Sequence, residues 1–127
     1  MRGKLRLFNS ILKIEKKALV SNWNCVKFQI LTHCFLNDVQ LSPAEIECLT
    51  LLGIEQEAEI SPFCIKAFEK NIYKSPQSVR NALAKLEKMN LVAKDGINRK
   101  KISLNNIPVL STGNILLNYK ILSVEAN

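Results

Sequence analysis

Three serine-proline pairs constrain the fold of this chain more than any other feature of its sequence. They are Ser42-Pro43, Ser61-Pro62 and Ser75-Pro76. A serine that precedes a helix accepts a hydrogen bond from a first-turn N–H, and a proline at the first helical position loses nothing because its missing N–H would have no partner. The sequence therefore predicts three helix starts in the middle of the chain.

The first start carries the fullest set of helix signals. Glu45 follows Ser42 by three residues and completes a capping box, in which each side chain bonds the other residue's backbone N–H. Gly53 is a natural helix end, so we expect this helix to run from Pro43 to Leu52. A short strand is predicted just after it, over Glu57–Ile60.

The second and third starts lie close together. We expect the second helix to run from Pro62 to about Asn71, which leaves only residues 72–74 before the third start. A turn of this length is typical of helix-turn-helix units. Lys74 places a cation beside a helix N-terminus, where a bound phosphate would be favoured, although a solvated lysine there costs only a few tenths of a kcal/mol.

The third predicted helix, Pro76 to about Met89, has one apolar and one polar face. Val79, Leu83 and Leu86 recur at helical spacing and should face the core. Asparagine and glutamine amides suit adenine, arginine suits guanine, and serine and lysine suit phosphates or base edges. The opposite face carries such residues, with the arginine at its edge: Gln77, Ser78, Arg80, Asn81, Lys85 and Lys88.

A tight hairpin is predicted directly after the third helix. Asp95-Gly96 lies between two short strands, Leu91–Lys94 and Lys101–Leu104, and Asp-Gly is a strong hairpin signal. Its tip and return strand carry Asn98, Arg99, Lys100 and Lys101. These cations indicate nucleic-acid contact, but lysines on an edge strand also protect a sheet against aggregation.

Charge is segregated along the sequence. The net charge of +7 combines +6 over residues 1–27, −6 over residues 28–65, +7 over residues 66–101 and zero over the rest. Basic blocks commonly mark nucleic-acid contact, whereas the acidic block would be repelled by phosphate. The alternative is that the acidic block pairs with a basic block inside the fold or across a dimer.

Length and cysteine usage predict one intracellular domain without a metal site. A chain of 127 residues can bury roughly two thirds of its unfolded surface without covalent staples. The four cysteines form no CxxC pair and there is one histidine, so we expect reduced cytoplasmic thiols, no metal and no cofactor. His33 and Cys34 would point to opposite faces of a predicted strand, and no catalytic motif is present, so we expect no enzymatic activity.

The regions that flank this core predict additional strands. Residues 26–35 are rich in aromatic and β-branched residues, and residues 114–123 are similar, so both are predicted strands that pair in one sheet or across a dimer. A helix remains the alternative for each. Residues 1–24 form a basic arm that either tracks a groove or forms an amphipathic helix docked on a partner.

From Ser75 to Val92 the chain follows the pattern S-x-x-S-V-x-x-x-L-x-x-L-E-x-x-x-L-V. With the Asp95-Gly96 hairpin, this pattern resembles the winged helix-turn-helix superfamily, especially MarR-like regulators and replication initiators, over about Leu41 to Leu104. The resemblance implies an α+β fold with three core helices and a β-hairpin wing, to which this chain adds N- and C-terminal strands. It also implies that residues 76–89 form the recognition helix and residues 95–101 the wing tip.

These observations predict a sequence-dependent DNA-binding protein, a small transcription regulator. The expected partners are double-stranded DNA, a second copy in a homodimer and a protein that meets the N-terminal arm, with no membrane. The alternative is a winged-helix interaction module in a larger assembly, such as a phage or replication complex. The predicted DNA-binding residues are Lys74, Ser75, Gln77, Ser78, Arg80, Asn81, Lys85, Lys88, Asn98, Arg99, Lys100 and Lys101.

Overall fold

The computed structural model describes residues 4–8, 11–108 and 112–122, with side chains from residue 15 onward. In this part of the chain, four helices and two small antiparallel sheets form an α+β fold. The elements in chain order are β1 (Lys4–Phe8), β2 (Ile11–Ala18), α1 (Asn22–Leu36), α2 (Pro43–Glu55), β3 (Glu57–Glu59), α3 (Ile60–Glu69), α4 (Pro76–Lys88), β4 (Val92–Lys94), β5 (Lys101–Leu104) and β6 (Ile115–Leu122).

The strand predicted over residues 26–35 is wrong, because this segment lies within the helix α1. Val26, Ile30 and Cys34 are buried, and they recur every four residues. A spacing of four is close to one helical turn, but it also keeps a residue on the same face of a strand, so the two periodicities coincide here. Ser21 caps the start of the helix, because its hydroxyl accepts a hydrogen bond from the Asn24 N–H at 3.2 Å.

The helix α2 begins as predicted and ends later than predicted. Ser42 and Glu45 form the capping box, with the Glu45 carboxylate 2.8 Å from the Ser42 N–H nitrogen. The helix continues through Gly53 to Glu55, and Gln56 ends it with a φ of 67°. The prediction that Gly53 stops the helix is therefore wrong: the backbone turns left-handed three residues later.

The helix α3 does not start at the predicted serine-proline pair. Its first residue is Ile60, and the capping position is held by Glu59, which makes no side-chain capping bond. The Ile60 N–H instead donates to the Lys100 carbonyl at 2.8 Å, so the hairpin turn just before β5 supplies the acceptor. Pro62 is still tolerated because it lies in the first turn, where a missing N–H costs no helical bond. The short strand predicted before this helix is present as β3.

The helix α4 and the following hairpin agree with the predictions. Ser75 caps α4, whose Val79, Leu83 and Leu86 are buried. The strands β4 and β5 pair with Val92 opposite Leu104, and β3 pairs with the other edge of β5. This three-stranded sheet, in the order β3-β5-β4, holds the hairpin beside α4.

Three of the helices end in the same way. Asp38 after α1, Asn71 after α3 and Asn90 after α4 have φ values of 55°, 61° and 62°. After each, an apolar residue sends its N–H back to a carbonyl near the helix end: Val39 to Cys34, Ile72 to Ala67 and Leu91 to Leu86. This is the Schellman arrangement, in which a left-handed residue lets the chain turn and satisfy the last free carbonyls.

The hydrophobic core lies between the four helices and the β3-β5-β4 sheet. Its largest fully buried side chains include Phe63, Ile30, Leu49, Leu52 and Leu86. All four cysteines, residues 25, 34, 48 and 64, are free and buried. Burial raises the pKa of Cys48 to about 12, with smaller effects from Cys64 and Glu45, so this thiol packs as a neutral apolar group.

The basic arm forms strands rather than a helix. The strands β1 and β2 make a hairpin, and β6 joins the free edge of β2 with Ile14 opposite Tyr119. The C-terminal strand is thus confirmed, while its expected pairing with residues 26–35 is wrong. Residues 1–3, 9 and 10 of the predicted arm and residue 123 of the predicted strand lie outside the described residues. No described helix has the length and hydropathy that crossing a bilayer requires.

Candidate nucleic-acid interface

Two predicted contact residues organise the start of α4. The Ser75 hydroxyl accepts a hydrogen bond from the Ser78 N–H at 3.1 Å, and the two hydroxyl oxygens lie 2.9 Å apart. Both side chains are therefore held against the first turn and are only partly exposed. Lys74 precedes the cap and is exposed, so a cation lies beside the positive end of the helix dipole.

The outward side of α4 is a polar stripe. Gln77, Asn81 and Lys88 are exposed and recur at helical spacing, with the small Ala84 between the last two. The Gln77 Nε2 donates to the Asn81 Oδ1 at 3.0 Å. This bond fixes both amides relative to each other and leaves each with further donors and acceptors for an outside partner.

Arg80 lies on the side of α4 that faces the hairpin. Its guanidinium donates to the Ser61 Oγ at 2.6 Å and so ties α4 to the beginning of α3. Between α4 and the hairpin lies a cleft of about 140 Å³, lined by Arg80, Ala84, Glu87 and Lys94 together with apolar side chains. The predicted arginine is thus at the edge of the polar stripe, where the helix meets the sheet.

Lys85 lies on the other side of α4 and has a structural partner. Its ammonium is 2.8 Å from the Glu45 carboxylate, which is nearly buried at the start of α2. Burial alone would raise the pKa of Glu45, but hydrogen bonds from Lys85 and Ser42 and the Lys85 charge outweigh it and hold that pKa below its ordinary value. The charge of Lys85 is therefore largely neutralised within the protein.

The hairpin tip is shaped by two side chains. The Asp95 carboxylate accepts hydrogen bonds from the N–H groups of Asn98, at 2.9 Å, and Ile97, at 2.7 Å, and these bonds lower the pKa of Asp95. The Asn98 Oδ1 then accepts from the Lys100 N–H at 3.1 Å. Asn98 thus has a structural role in the turn, in addition to its predicted contact role.

Three carboxylates near this surface are paired with a lysine, whereas the exposed Asp95 and Glu59 have no ion pair among the described residues. Lys101 is 3.2 Å from Glu57, Lys94 is 3.6 Å from Glu87, and Lys85 holds Glu45. The Glu57 hydrogen bond and charge raise the pKa of Lys101. Within the described structure, five cations of the predicted set have no ion pair and are exposed: Lys74, Arg80, Lys88, Arg99 and Lys100. Of these, Arg80 alone has a side-chain hydrogen bond, to Ser61.

The sequence did not indicate several residues that shape the site. Ser61 was predicted to cap α3, but Glu59 holds that position and the Ser61 hydroxyl binds the Arg80 guanidinium. Ile97, for which no role was predicted, is 99% exposed at the hairpin tip. The Lys94–Glu87 and Lys85–Glu45 ion pairs join separate elements. Only the packing of those elements brings the partners together, so no local pattern could have indicated them.

No cluster of metal-binding side chains is present among the described residues. Comparisons with protein-family models, with curated proteins and with solved structures give no match for this chain.

Proposed function

We propose that this chain binds double-stranded DNA as a small transcription regulator, with α4 in the major groove and the β4–β5 hairpin on the flanking backbone. The proposal treats the core of the fold as a winged helix-turn-helix. The order of elements supports it: α3 and α4 follow each other across a short turn, and a hairpin lies beside α4.

The observation that carries the proposal is the charge balance of this surface. The exposed side of α4 and the hairpin tip hold Lys74, Lys88, Arg99 and Lys100, while three adjoining carboxylates are paired with other lysines. Two exposed carboxylates, Asp95 and Glu59, have no ion pair among the described residues, so phosphates approaching this surface would meet four unneutralised cations against two acids. Such a patch supplies the sequence-independent part of DNA affinity.

The dimensions of α4 suit the major groove. A helix of 13 residues is about 20 Å long, and the major groove is about 12 Å wide, enough to admit a helix. Gln77 and Asn81 lie on the outward stripe, where their amides can bond adenine edges. Arg80 can reach a guanine or a phosphate after exchanging its bond to Ser61. Ser75, Ser78, Asn98 and Lys85 contribute by holding these groups in place.

The test is the salt dependence of DNA affinity. Four phosphate contacts predict a slope of about −3.6 for log K against log salt concentration; counting Lys101 as well would give about −4.5. The affinity of the full chain for a labelled random-sequence duplex would be measured by fluorescence anisotropy between about 50 and 200 mM salt. Replacing Arg99 and Lys100 by Ala should lower the affinity and make the slope shallower by about 1.8.

A control variant can remove the same number of positive charges as the Arg99 and Lys100 variant. Lys27 and Lys66 pair with Glu47 and Glu55 away from the hairpin, so the double change to Ala should leave the slope unaltered. The proposal fails if the wild-type chain does not bind DNA at low salt, or if both double variants lose affinity equally. A selection of bound genomic fragments then tests whether binding depends on sequence. The double change Gln77→Ala with Asn81→Ala should weaken the sequence preference of the selected fragments.

The alternative function is a protein-interaction module. One observation favours it: α1 exposes Phe35 at 84% and Leu36 at 73%, an unusual display of large apolar side chains. Weak retention on heparin, together with recovery of a stable complex with another protein, would support this alternative over DNA binding.

A further inference from the structure

We propose that the apolar face of the β1-β2-β6 sheet is a self-association surface, on which the same face of a second copy packs. This surface is separate from the proposed DNA-binding surface, which lies on α4 and the β4–β5 hairpin. Self-association through the apolar face therefore does not depend on DNA binding.

The strand register gives this sheet two unlike faces. Residues paired across strands share a face, and successive residues along a strand alternate between faces. One face, hereafter the apolar face, contains a single charged position, Lys16, at one end. Its positions are Leu5, Leu7, Leu12, Ile14, Lys16, Ala18, Ile115, Leu117, Tyr119 and Ile121.

The opposite face is basic. It carries Lys4, Arg6, Lys13, Lys17 and Lys120 against one acid, Glu15. The remaining positions of this face are Phe8, Ile11, Leu116, Asn118 and Leu122. A sheet with one apolar and one charged face normally buries the apolar face against another layer. This pattern is therefore typical of a sheet whose apolar face packs against another layer.

Among the described residues, the apolar face is least covered at the far end of β6. Tyr119 is 42% exposed and Ile121 is 55% exposed, although both lie on the apolar face. The residues nearer α1, Ile115 and Leu117, are only partly exposed. The extensive contacts of the three strands are with one another rather than with a helix. One end of the apolar face is thus partly covered by the chain itself, while the other end is open.

The area of the apolar face is close to the minimum that a dimer requires. Two eight-residue strands and one five-residue strand, spaced about 4.8 Å apart with a rise of about 3.3 Å per residue, make a face of roughly 330 Å². Pairing two such faces, with the relief of their side chains, removes at most on the order of 1,000 Å² of accessible surface, near the threshold for a specific interface.

Charge favours a second copy as the occupant. Face-to-face packing of two sheets buries apolar positions on both sides and keeps the positions of the basic faces out of the interface. A nucleic acid would instead choose the basic face, because phosphate gains nothing from apolar side chains. Two-fold symmetry also guarantees that the partner carries the matching surface.

The experiment compares neighbouring substitutions on the two faces of β6. Ile121→Asp places a charge on the apolar face, whereas Leu122→Asp places the same charge on the basic face, where the native residue is 61% exposed. Sedimentation of the full chain without DNA should show a dimer between about 1 and 100 µM. We expect Ile121→Asp to weaken dimerisation at least tenfold and Leu122→Asp to change it little.

Other outcomes would overturn the proposal. A wild-type chain that stays monomeric throughout the concentration range would contradict it, as would equal loss of dimer in the two variants. Phe35→Asp tests the competing surface on α1: loss of the dimer in this variant, with the dimer of Ile121→Asp unaffected, would assign the interface to α1.

If Ile121→Asp disturbs the circular dichroism spectrum, the milder Ile121→Thr replaces it. The wild-type dimer should also persist at about 0.5 M salt, since apolar association is not screened.

Discussion

Two buried polar groups near the start of α2 differ in how well they are satisfied. Glu45 has its capping bond to Ser42 and the Lys85 ammonium. Tyr73 lies nearby, and its buried hydroxyl has no hydrogen-bond partner among the described residues. Burial, with smaller effects from Cys48 and Glu45, raises the pKa of Tyr73 to about 12. The Glu45 carboxylate is therefore the group whose charge stabilises this part of the core.

Glu45 should make the stability of the fold depend on acid pH. Its folded-state pKa is lowered, so its stabilisation is present above the unfolded pKa and is lost as the pH falls through the folded pKa. We expect Glu45→Gln to reduce the free energy of unfolding by about 1 kcal/mol at neutral pH, because the charged bonds weaken while the cap persists. Urea unfolding at neutral pH and near pH 3 would show the difference shrinking in acid.

The matched control is Glu69→Gln at the end of α3. Glu69 is exposed and has no ion pair within the described structure, so this change should alter stability by less than about 0.5 kcal/mol at either pH. A Glu45→Gln effect that is equally large in acid would show that shape, rather than charge, matters at this position.

Residue types predicted the surface of the site better than its internal bonds. The exposed stripe with Gln77 and Asn81, and the exposed Arg99 and Lys100, follow from helical spacing and from the hairpin signal. Lys85 shows the limit: its partner Glu45 lies on another helix, 40 positions earlier in the chain. Spacing along one helix cannot reveal such a bond, because it depends on how two helices pack.

At the scale of elements, the ends of the helices are as regular as their starts. The helices α1, α3 and α4 each end at an aspartate or asparagine in the left-handed conformation, followed by Val39, Ile72 or Leu91. Asparagine and aspartate adopt this conformation more readily than most residues. These small motifs fix where each helix stops and direct the next apolar residue back toward the core.

Asn71 provides the test of this arrangement. An alanine in the left-handed conformation costs roughly 1–2 kcal/mol, whereas glycine adopts it freely. We expect Asn71→Ala to lower the free energy of unfolding by about 1 kcal/mol and Asn71→Gly to change it by only a few tenths. Thermal and urea unfolding of both variants would measure this. Equal losses in the two variants would indicate a role for the Asn71 side chain instead.

The elements that were predicted correctly are those with local signals. Ser42 and Ser75 begin their helices, and Asp95 shapes the hairpin, each through bonds to residues two or three positions away. The segment 26–35 was predicted wrongly because a four-residue repeat fits both a helix and a strand. Its cap at Ser21 is the local signal that separates the two. The pairing of β2 with β6 joins the two ends of the described chain and had no local signal at all.

At the scale of the whole molecule, charge and apolar surface occupy different places. The paired acids lie around α2 and β3, and the exposed cations of the predicted set lie on α4 and the β4–β5 hairpin. The most exposed large apolar residues lie on or next to the terminal sheet and at the end of α1, apart from Ile97 at the hairpin tip. A dimer formed through the terminal sheet would leave both proposed DNA-binding surfaces free. The proposed function and the proposed dimer are therefore compatible in one assembly.

The β2–β6 ladder also has a consequence for how the molecule assembles. It pairs residues roughly a hundred positions apart, whereas α2, α3 and α4 with their hairpin are joined by short connections. Closing so long a loop costs more conformational entropy than forming the short connections. We expect its backbone amides to exchange hydrogen at least tenfold faster than those of α2 and α4, which hydrogen-exchange mass spectrometry can measure.

Equal protection of the ladder and the helices would indicate a single cooperative unit. With the expected difference, the β2–β6 ladder opens more readily than the helices, so the terminal sheet can separate while the helical core stays folded.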